Sequence, residues 1–540
     1  MLKVGMSIQK PTMRFKNALI KSSLTGILIG TSYIPFPPWA IFFCFIPLWD
    51  LWFQTPSKRR VFFSGWIAQF LLVCIGFFWI KTVAHEFGHL PKPVAILAVV
   101  LYASFACWYI PASGFIWKSL HDKFKLSKVP SLYLLATLTA LFEHFYWTIF
   151  PWNFGYTWLW AGLPAYQLAE YTGFSALSSL IIIANAASLQ TYWSYKDKQL
   201  NLKPLAAVLV LFGIMNGLGV LAKSRLAKPD AEAKVLIVQA NIGNQQKIYA
   251  EKGWGFREEI VNRHLRLTTE GLIDDGPVDF AVWPETAYPE TLGGRNYRRR
   301  NARNLSRYLQ SNELNLMTGG YYQGFESPAN RTANGLFTFK KETGLPDRRP
   351  YLKSHLLAFG EYIPGSETFP QLNNLFPAVA NFIRGQGPEV QGIDDIQIGP
   401  QICYESLFPE YSNQLARLGA DLIVNVTNDS WYGPYSEPYQ HLYMTLARAI
   451  ETRRPLVRST NTGISTVILA DGTILENSPL YQEWKHTFNI PYKKQAKTTF
   501  FTDFPYLHPT LLGFIFLVLL FLGAKQGFKP KDEQLKPDDN

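Results

Sequence analysis

Three short segments of this chain carry side chains that together can do acyl chemistry. Trp283-Pro284-Glu285-Thr286 offers a carboxylate, Tyr351-Leu352-Lys353-Ser354-His355-Leu356 an ammonium, and Ile402-Cys403-Tyr404-Glu405 a thiol. A second carboxylate follows the ammonium in Phe359-Gly360-Glu361-Tyr362-Ile363-Pro364. A free thiol titrates near pH 8.5, so only a few per cent is thiolate at pH 7, and thiol chemistry needs assistance. A nearby carboxylate can take the proton. An ammonium can stabilise the sulfur anion and help hold the oxyanion that forms when a carbonyl is attacked, together with a backbone N–H after the nucleophile. Of four cysteines, Cys44, Cys74 and Cys107 lie in apolar runs, which leaves Cys403 alone in the polar part of the chain. No disulfide can form within that part, and no cysteine cluster can hold zinc there. A lone thiol in such a place suggests reactivity; the plain alternative is a small buried hydrophobe.

The elements that must position these residues read as an α/β domain over 229–500. Short β-branched runs at 234–240, 278–283, 315–319 and 421–426 are bounded by turn or charged residues and read as strands. Amphipathic stretches at 256–273 and 297–311 read as helices between them, and 334–340 and 464–477 as later strands joined by hairpin-like turns such as Ala470-Asp471-Gly472. Glu285 and Cys403 fall at strand ends, where α/β enzymes place reactive groups.

Taken in order, WPET, YLKSHLLAFGEYIP, ICYE and the stretch NVTNDSWYG…QH…RAIETRRPLVRSTNTGIS resemble the nitrilase superfamily and, within it, the apolipoprotein N-acyltransferase family. The resemblance covers nearly the whole chain. It implies an α-β-β-α sandwich with Glu285 as general base, Lys353 as electrostatic stabiliser and Cys403 as nucleophile. Glu361 would be a second carboxylate orienting Lys353 or the nucleophile. Tyr404 and Glu405 also match family positions near the active site, where the alternative is an ordinary structural polar group. The implied reaction is a two-step acyl transfer through a Cys403 thioester, with a membrane phospholipid as donor and a diacylglyceryl-cysteine apolipoprotein as acceptor. It further implies a monomer without metal or cofactor.

The rest of the chain is membrane-like. A bilayer core of about 30 Å takes roughly 20 apolar residues in helical form. Seven such runs precede the polar domain, near 18–35, 36–54, 61–80, 93–117, 130–150, 172–193 and 204–223, and an eighth lies near 506–524. This predicts a bundle of about eight transmembrane helices: 1–228 with seven, then the catalytic domain, then 501–540 with the eighth and a tail. Pro35, Pro37 and Pro38 tighten or blur the first two spans, and Pro111 kinks the fourth. The net charge of +12 suggests nucleic acid at first sight, but 232–500 carries about as many acids as bases. The excess sits in short loops and tails: Lys3, Lys10, Arg14 and Lys16; Lys58, Arg59 and Arg60; Lys118, Lys123, Lys125 and Lys128; Lys196, Lys198 and Lys203; Lys525, Lys529 and Lys531. These alternate with base-poor loops, as the positive-inside rule requires. The rule puts the N-terminus in the cytoplasm and the polar domain on the outer face, which the resemblance implies is the periplasmic face of a bacterial inner membrane. No nucleic-acid partner is expected. The aromatic loop 151–172 reads as an interfacial belt.

Several features offer rival readings. His85-Glu86-Phe87-Gly88-His89 fits the H-E-x-x-H pattern of zinc proteases, which needs a helix to bring both histidines to one face. It falls in a predicted outer loop with Gly88 inside it and Pro91 after it, so an interfacial loop is the better reading. The arginines from Arg295 to Arg307 suit lipid headgroups or a solvated helix face. Segment 372–385 is apolar enough for a flexible arm at the membrane or a buried helix, and His355 and His441 are left as structural or substrate-contacting. A membrane-tethered amidase using the same triad, or a non-enzymatic scaffold, would be the alternatives to acyl transfer.

Overall fold

The computed structural model describes residues 15–86, 88, 90–324, 331–346, 348–375 and 379–527. Two sheets form the polar part. One has the order β11-β1-β2-β3-β4-β5 and the other β10-β9-β8-β7-β6. Their strands are β1 (Ala231–Gln239), β2 (Phe280–Leu292), β3 (Asn315–Tyr322), β4 (Ala333–Phe339), β5 (Tyr351–Leu352), β6 (Gln391–Ile393), β7 (Ile396–Ile402), β8 (Leu422–Thr427), β9 (Leu456–Thr460), β10 (Thr466–Ile468) and β11 (Trp484–Tyr492). In each sheet the central strands are parallel (β1, β2 and β3 in one, β7, β8 and β9 in the other) and the outer pairs antiparallel. Parallel strands need coverage on both faces. Here the two sheets cover each other, and helices cover the outer faces: Arg257–Asp275 and Arg300–Ser311 on the first, Pro409–Arg417 and Glu437–Thr452 on the second. The result is the α-β-β-α sandwich.

Strand burial explains why these segments extend. β8 is buried at every position, and β1 from Val235 onward, so both carry apolar runs (Leu422 to Val424 and Val235 to Val238) rather than alternation, with the polar Asn425, Thr427 and Gln239 buried beside them. The helix Arg257–Asp275 buries Ile260, Val261, His264 and Leu267 against the sheet and opens on Glu258 and Glu259, which favour a helix N-terminus.

All eight apolar runs contain helix. Five helices among the described residues are long and apolar enough to cross a membrane: Lys58–Gly76, Lys92–Phe124, Pro164–Lys196, Lys203–Ser224 and Leu507–Lys525. The other three runs give shorter helices, Phe15–Gly30, Ile46–Gln54 and Lys128–Phe145. The second run does not form one continuous helix. Its proline-rich start makes turns, and only its second half is helical. The fourth span breaks at Ala106–Trp108, just before Pro111, which has no N–H for the Cys107 carbonyl; the Ile110 N–H donates to it instead at 3.2 Å.

Two loop expectations are corrected. The aromatic loop is not an exposed belt: Trp152, Tyr156 and Trp158 are buried. They pack with Tyr33, Phe154, Phe174 and Phe212 inside the protein. His85 and Glu86 are not loop residues but close the helix Ile80–Glu86; the pairing with His89 lies outside the described residues. One apolar cluster runs without interruption from the helices into the space between the sheets.

Candidate active site

The first carboxylate is aimed by a break in strand pairing. The β2–β3 register shifts between Trp283 and Tyr288, and Thr286 has φ +50°, an outlier for a β-branched residue. Gly319 on β3 makes room for this bulge, since a Cβ there would lie 2.6 Å from the Glu285 Cα. Lys247 braces it from the other side, donating to the Glu285 carbonyl at 3.3 Å and to Thr286 Oγ1 at 3.2 Å. Burial pulls the Lys247 ammonium down to about 8, against the raising effect of Glu285 and Glu251.

Lys353 follows β5, and its backbone N–H donates to the Asn334 carbonyl at 2.9 Å. Its ammonium is buried and lies 2.8 Å from Glu361 Oε1 and 3.5 Å from Glu285 Oε1. Burial alone would lower its pKa. Glu361, Glu285 and Cys403 outweigh that and hold it well above the ordinary lysine value, so it stays charged. Asn334 stands between the carboxylates, with Nδ2 donating to Glu285 Oε1 at 2.7 Å and lying 3.4 Å from Glu361 Oε1. Glu361 in turn accepts from the Leu357 N–H at 2.8 Å.

Cys403 leaves the end of β7 and opens the short helix Cys403–Leu407 with φ +52°. Left-handed backbone at a non-glycine residue is the kind of strain found at reactive positions. Burial and Glu285 push the thiol well above its ordinary value; Lys353 opposes them and Asp429 adds to them. The sulfur therefore rests as a thiol, its ionisation opposed by a carboxylate and favoured by an ammonium.

Glu405 explains how the thiol and ammonium segments find each other. It is fully buried and accepts from the Ser354 N–H at 2.7 Å, the His355 N–H at 3.1 Å, Tyr351 Oη at 2.6 Å and the Ile402 N–H at 2.8 Å. One side chain thus ties the residue before Cys403 to the residues around Lys353. Tyr404 faces elsewhere: its hydroxyl donates to the Ile149 carbonyl and its ring packs edge-on against Phe150, both in the loop after the helix Lys128–Phe145. His355 stacks on Phe408 with centroids 4.6 Å apart.

The structure brings Glu285, Lys353, Glu361, Cys403 and Glu405 into one linked cluster, with Tyr404 beside it and turned toward Ile149. Asn334 and Lys247 were missed; neither carries a local signal. Also missed was a buried cluster behind Cys403 in which Asp429 bonds Arg458 Nη2 at 2.7 Å and His441 Nδ1 at 3.2 Å. Asp429, Glu437 and His441 converge closely enough for a metal ion, but the guanidinium and imidazole already balance the Asp429 charge.

Comparison with known proteins gives the family. Over 512 residues the chain is 44% identical to the apolipoprotein N-acyltransferase of Bdellovibrio bacteriovorus, covering 93% of this chain and 92% of that one. The chain belongs to the apolipoprotein N-acyltransferase family. The N-acyltransferase of Geobacter metallireducens is 31% identical over 472 residues, covering 85% of this chain and 87% of that one. Residues 25–187 match the apolipoprotein N-acyltransferase N-terminal domain, and 234–488 match the carbon-nitrogen hydrolase family. The six site residues of this N-acyltransferase-family chain fall within the second match. Among solved structures, Saccharomyces cerevisiae Nit3, of the nitrilase superfamily, aligns with a TM-score of 0.38 at 15% identity, covering 49% of this chain and 91% of Nit3.

Proposed function

We propose that this protein is a membrane-embedded enzyme that moves a fatty acyl chain from a phospholipid, through a thioester on Cys403, to the N-terminal amine of a diacylglyceryl-cysteine apolipoprotein. Family membership along almost the full chain supports acyl transfer to lipoproteins. The observation that carries the residue assignment is the convergence of Glu285, Lys353 and Glu361 in one buried site, with Glu285 and Lys353 acting on the Cys403 thiol.

In the first half-reaction Glu285 takes the thiol proton as sulfur attacks the ester carbonyl. A C–S bond forms, and the carbonyl electron pair moves to oxygen, where Lys353 and the Tyr404 N–H stabilise it. Collapse breaks the ester C–O bond, and the lysophospholipid leaves with the proton returned by Glu285. In the second, the acceptor amine attacks the thioester, Glu285 takes the amine proton, an amide forms and the thiol is regenerated. Glu361 positions the ammonium, and Asn334 positions Glu285.

The alternation of basic and base-poor loops supports an inner-membrane location with the catalytic domain on the periplasmic face. That placement leaves both lipid substrates in hydrocarbon, since exposing each CH₂ would cost about 0.8 kcal/mol. The enzyme acts as a monomer.

The test uses purified full-length protein with vesicles of labelled phospholipid. The expected result is a hydroxylamine-sensitive adduct that Cys403→Ala abolishes and that an N-terminal diacylglyceryl-cysteine peptide discharges. Absence of an adduct with any phospholipid, or release to water at the same rate with and without the peptide, would rule the transferase out.

A further inference from the structure

The carbonyl oxygen of Cys403 is held by two donors, Asn425 Nδ2 at 3.2 Å and Ser406 Oγ at 3.0 Å. Both routes lead back to one guanidinium. Arg458 Nη1 donates to Asn425 Oδ1 at 2.8 Å and to Thr445 Oγ1 at 3.2 Å, and the Thr445 hydroxyl lies 2.7 Å from Ser406 Oγ. Asn425 and Arg458 face each other in register across β8 and β9. Asp429, on the loop after β8, fixes the other arm of the guanidinium at 2.7 Å. Arg458, Asn425, Thr445 and Ser406 are all fully buried.

A guanidinium has no acceptor and a carbonyl oxygen no donor, so the two ends of this network fix its direction. With Asn425 Oδ1 turned to Arg458, the amide presents Nδ2 to Cys403. The Cys403 carbonyl takes the Ser406 proton, and Thr445, which accepts from Arg458, keeps its own proton for Ser406. Both routes therefore deliver a donor to the same oxygen. The peptide joining Cys403 to Tyr404 is planar and trans, so its carbonyl oxygen and the Tyr404 N–H point in opposite directions. Pinning one aims the other. The Tyr404 N–H lies in the first turn of the Cys403–Leu407 helix, where no preceding helix carbonyl is available to it.

We propose that Arg458 is a positioning residue for acyl transfer: acting through Asn425 and Ser406, it pins the Cys403 carbonyl and so aims the Tyr404 N–H at the oxyanion formed when Cys403 attacks. This rests on reading Cys403 as the nucleophile. Burying a charged pair is expensive, and apolar side chains would fill the same space at no such cost, so packing alone gives no reason for an arginine here. The donor must be in place before charge develops on the oxygen, which is what a network of fixed polarity supplies.

The test compares two reactions of the same sulfur in full-length protein. Acylation by a p-nitrophenyl ester, read as burst release of nitrophenolate, passes through an oxyanion. Alkylation by iodoacetamide, at a saturated carbon, does not. The variants are Asn425→Ala, Ser406→Ala, the double variant and Arg458→Lys. The double variant should lose acylation on the order of 10- to 100-fold, with alkylation kept within about threefold of wild type. Ser406→Ala, the smallest deletion, should show the same split to a lesser degree if Arg458→Lys does not fold. Acylation left at the wild-type rate, or acylation and alkylation falling together, would overturn the proposal. Wild type that is acylated by the nitrophenyl ester but by no phospholipid would sink the donor assignment and leave this inference standing.

Discussion

Lys353 pairs more closely with Glu361, at 2.8 Å, than with Glu285, at 3.5 Å. The ammonium is thereby drawn toward the carboxylate that takes no proton in the proposed mechanism. Glu285 is left as the looser partner of the ammonium. Glu361→Gln should release the ammonium toward Glu285 and lower the single-turnover rate of thioester formation on the order of 100-fold, with KM for phospholipid little changed. Glu285→Gln should cost more, because it removes the base itself. Equal rates for Glu361→Gln and wild type would exclude this division of labour.

Glu405→Ala should destabilise the protein by about 3–5 kcal/mol, because several buried donors lose a charged acceptor at once. Glu405→Gln keeps the shape and should lose less. Thermal unfolding in detergent measures both. Activity should fall further than stability accounts for, because the Lys353 segment loses its tie to β7.

Alkylation of Cys403 by iodoacetamide reports the thiol. Burial and Glu285 push its pKa up, so the thiolate fraction at pH 7.5 lies below that of an ordinary cysteine, and labelling should be slow. The rate should climb about tenfold per pH unit toward alkaline pH without levelling near 8.5. Lys353→Met removes the charge that opposes the upward shift, so labelling should slow further. A plateau below pH 8 in the wild type would show that the thiolate is the resting form.

Lys247 gives a stability signature of opposite sense to most ion pairs. Its folded-state pKa, about 8, lies below the usual value near 10.5. Between these two values the unfolded chain binds the proton and the folded protein does not, so stability rises with pH across that window. Below about pH 8 both states are charged, and burial of the ammonium is a standing penalty. Lys247→Met should remove the rise between about pH 8 and 10.5, read as unfolding midpoints in detergent at a series of pH values. The same variant should impair catalysis, because the bulge at Glu285 and Thr286 loses its brace.

The local patterns that held up in the structure are those where one physical demand dominates. In the run at 421–426, Leu422, Ile423, Val424 and Val426 are apolar without regard to face because β8 is covered on both faces, and the sequence around Cys403 announces itself by holding the one thiol outside the apolar runs. The predicted strand at 464–477 is extended as a strand only at Thr466–Ile468, because its later part joins through a single bridge from Ile468 to Ile474. Asn334 and Lys247 could not be found because each acts across the fold on a residue 49 or 38 positions away. The aromatic loop was misread for a related reason. Tryptophan and tyrosine suit a lipid interface and a protein interior equally well, and only tertiary packing decided that Trp152, Tyr156 and Trp158 go inside.

Tyr404, the residue directly after the thiol, grips the Ile149 carbonyl beyond the helix Lys128–Phe145. The residue next to the thiol is therefore anchored not in its own sheet but in the apolar half of the chain, so any displacement of the segment around Ile149 and Phe150 is felt one residue from the sulfur.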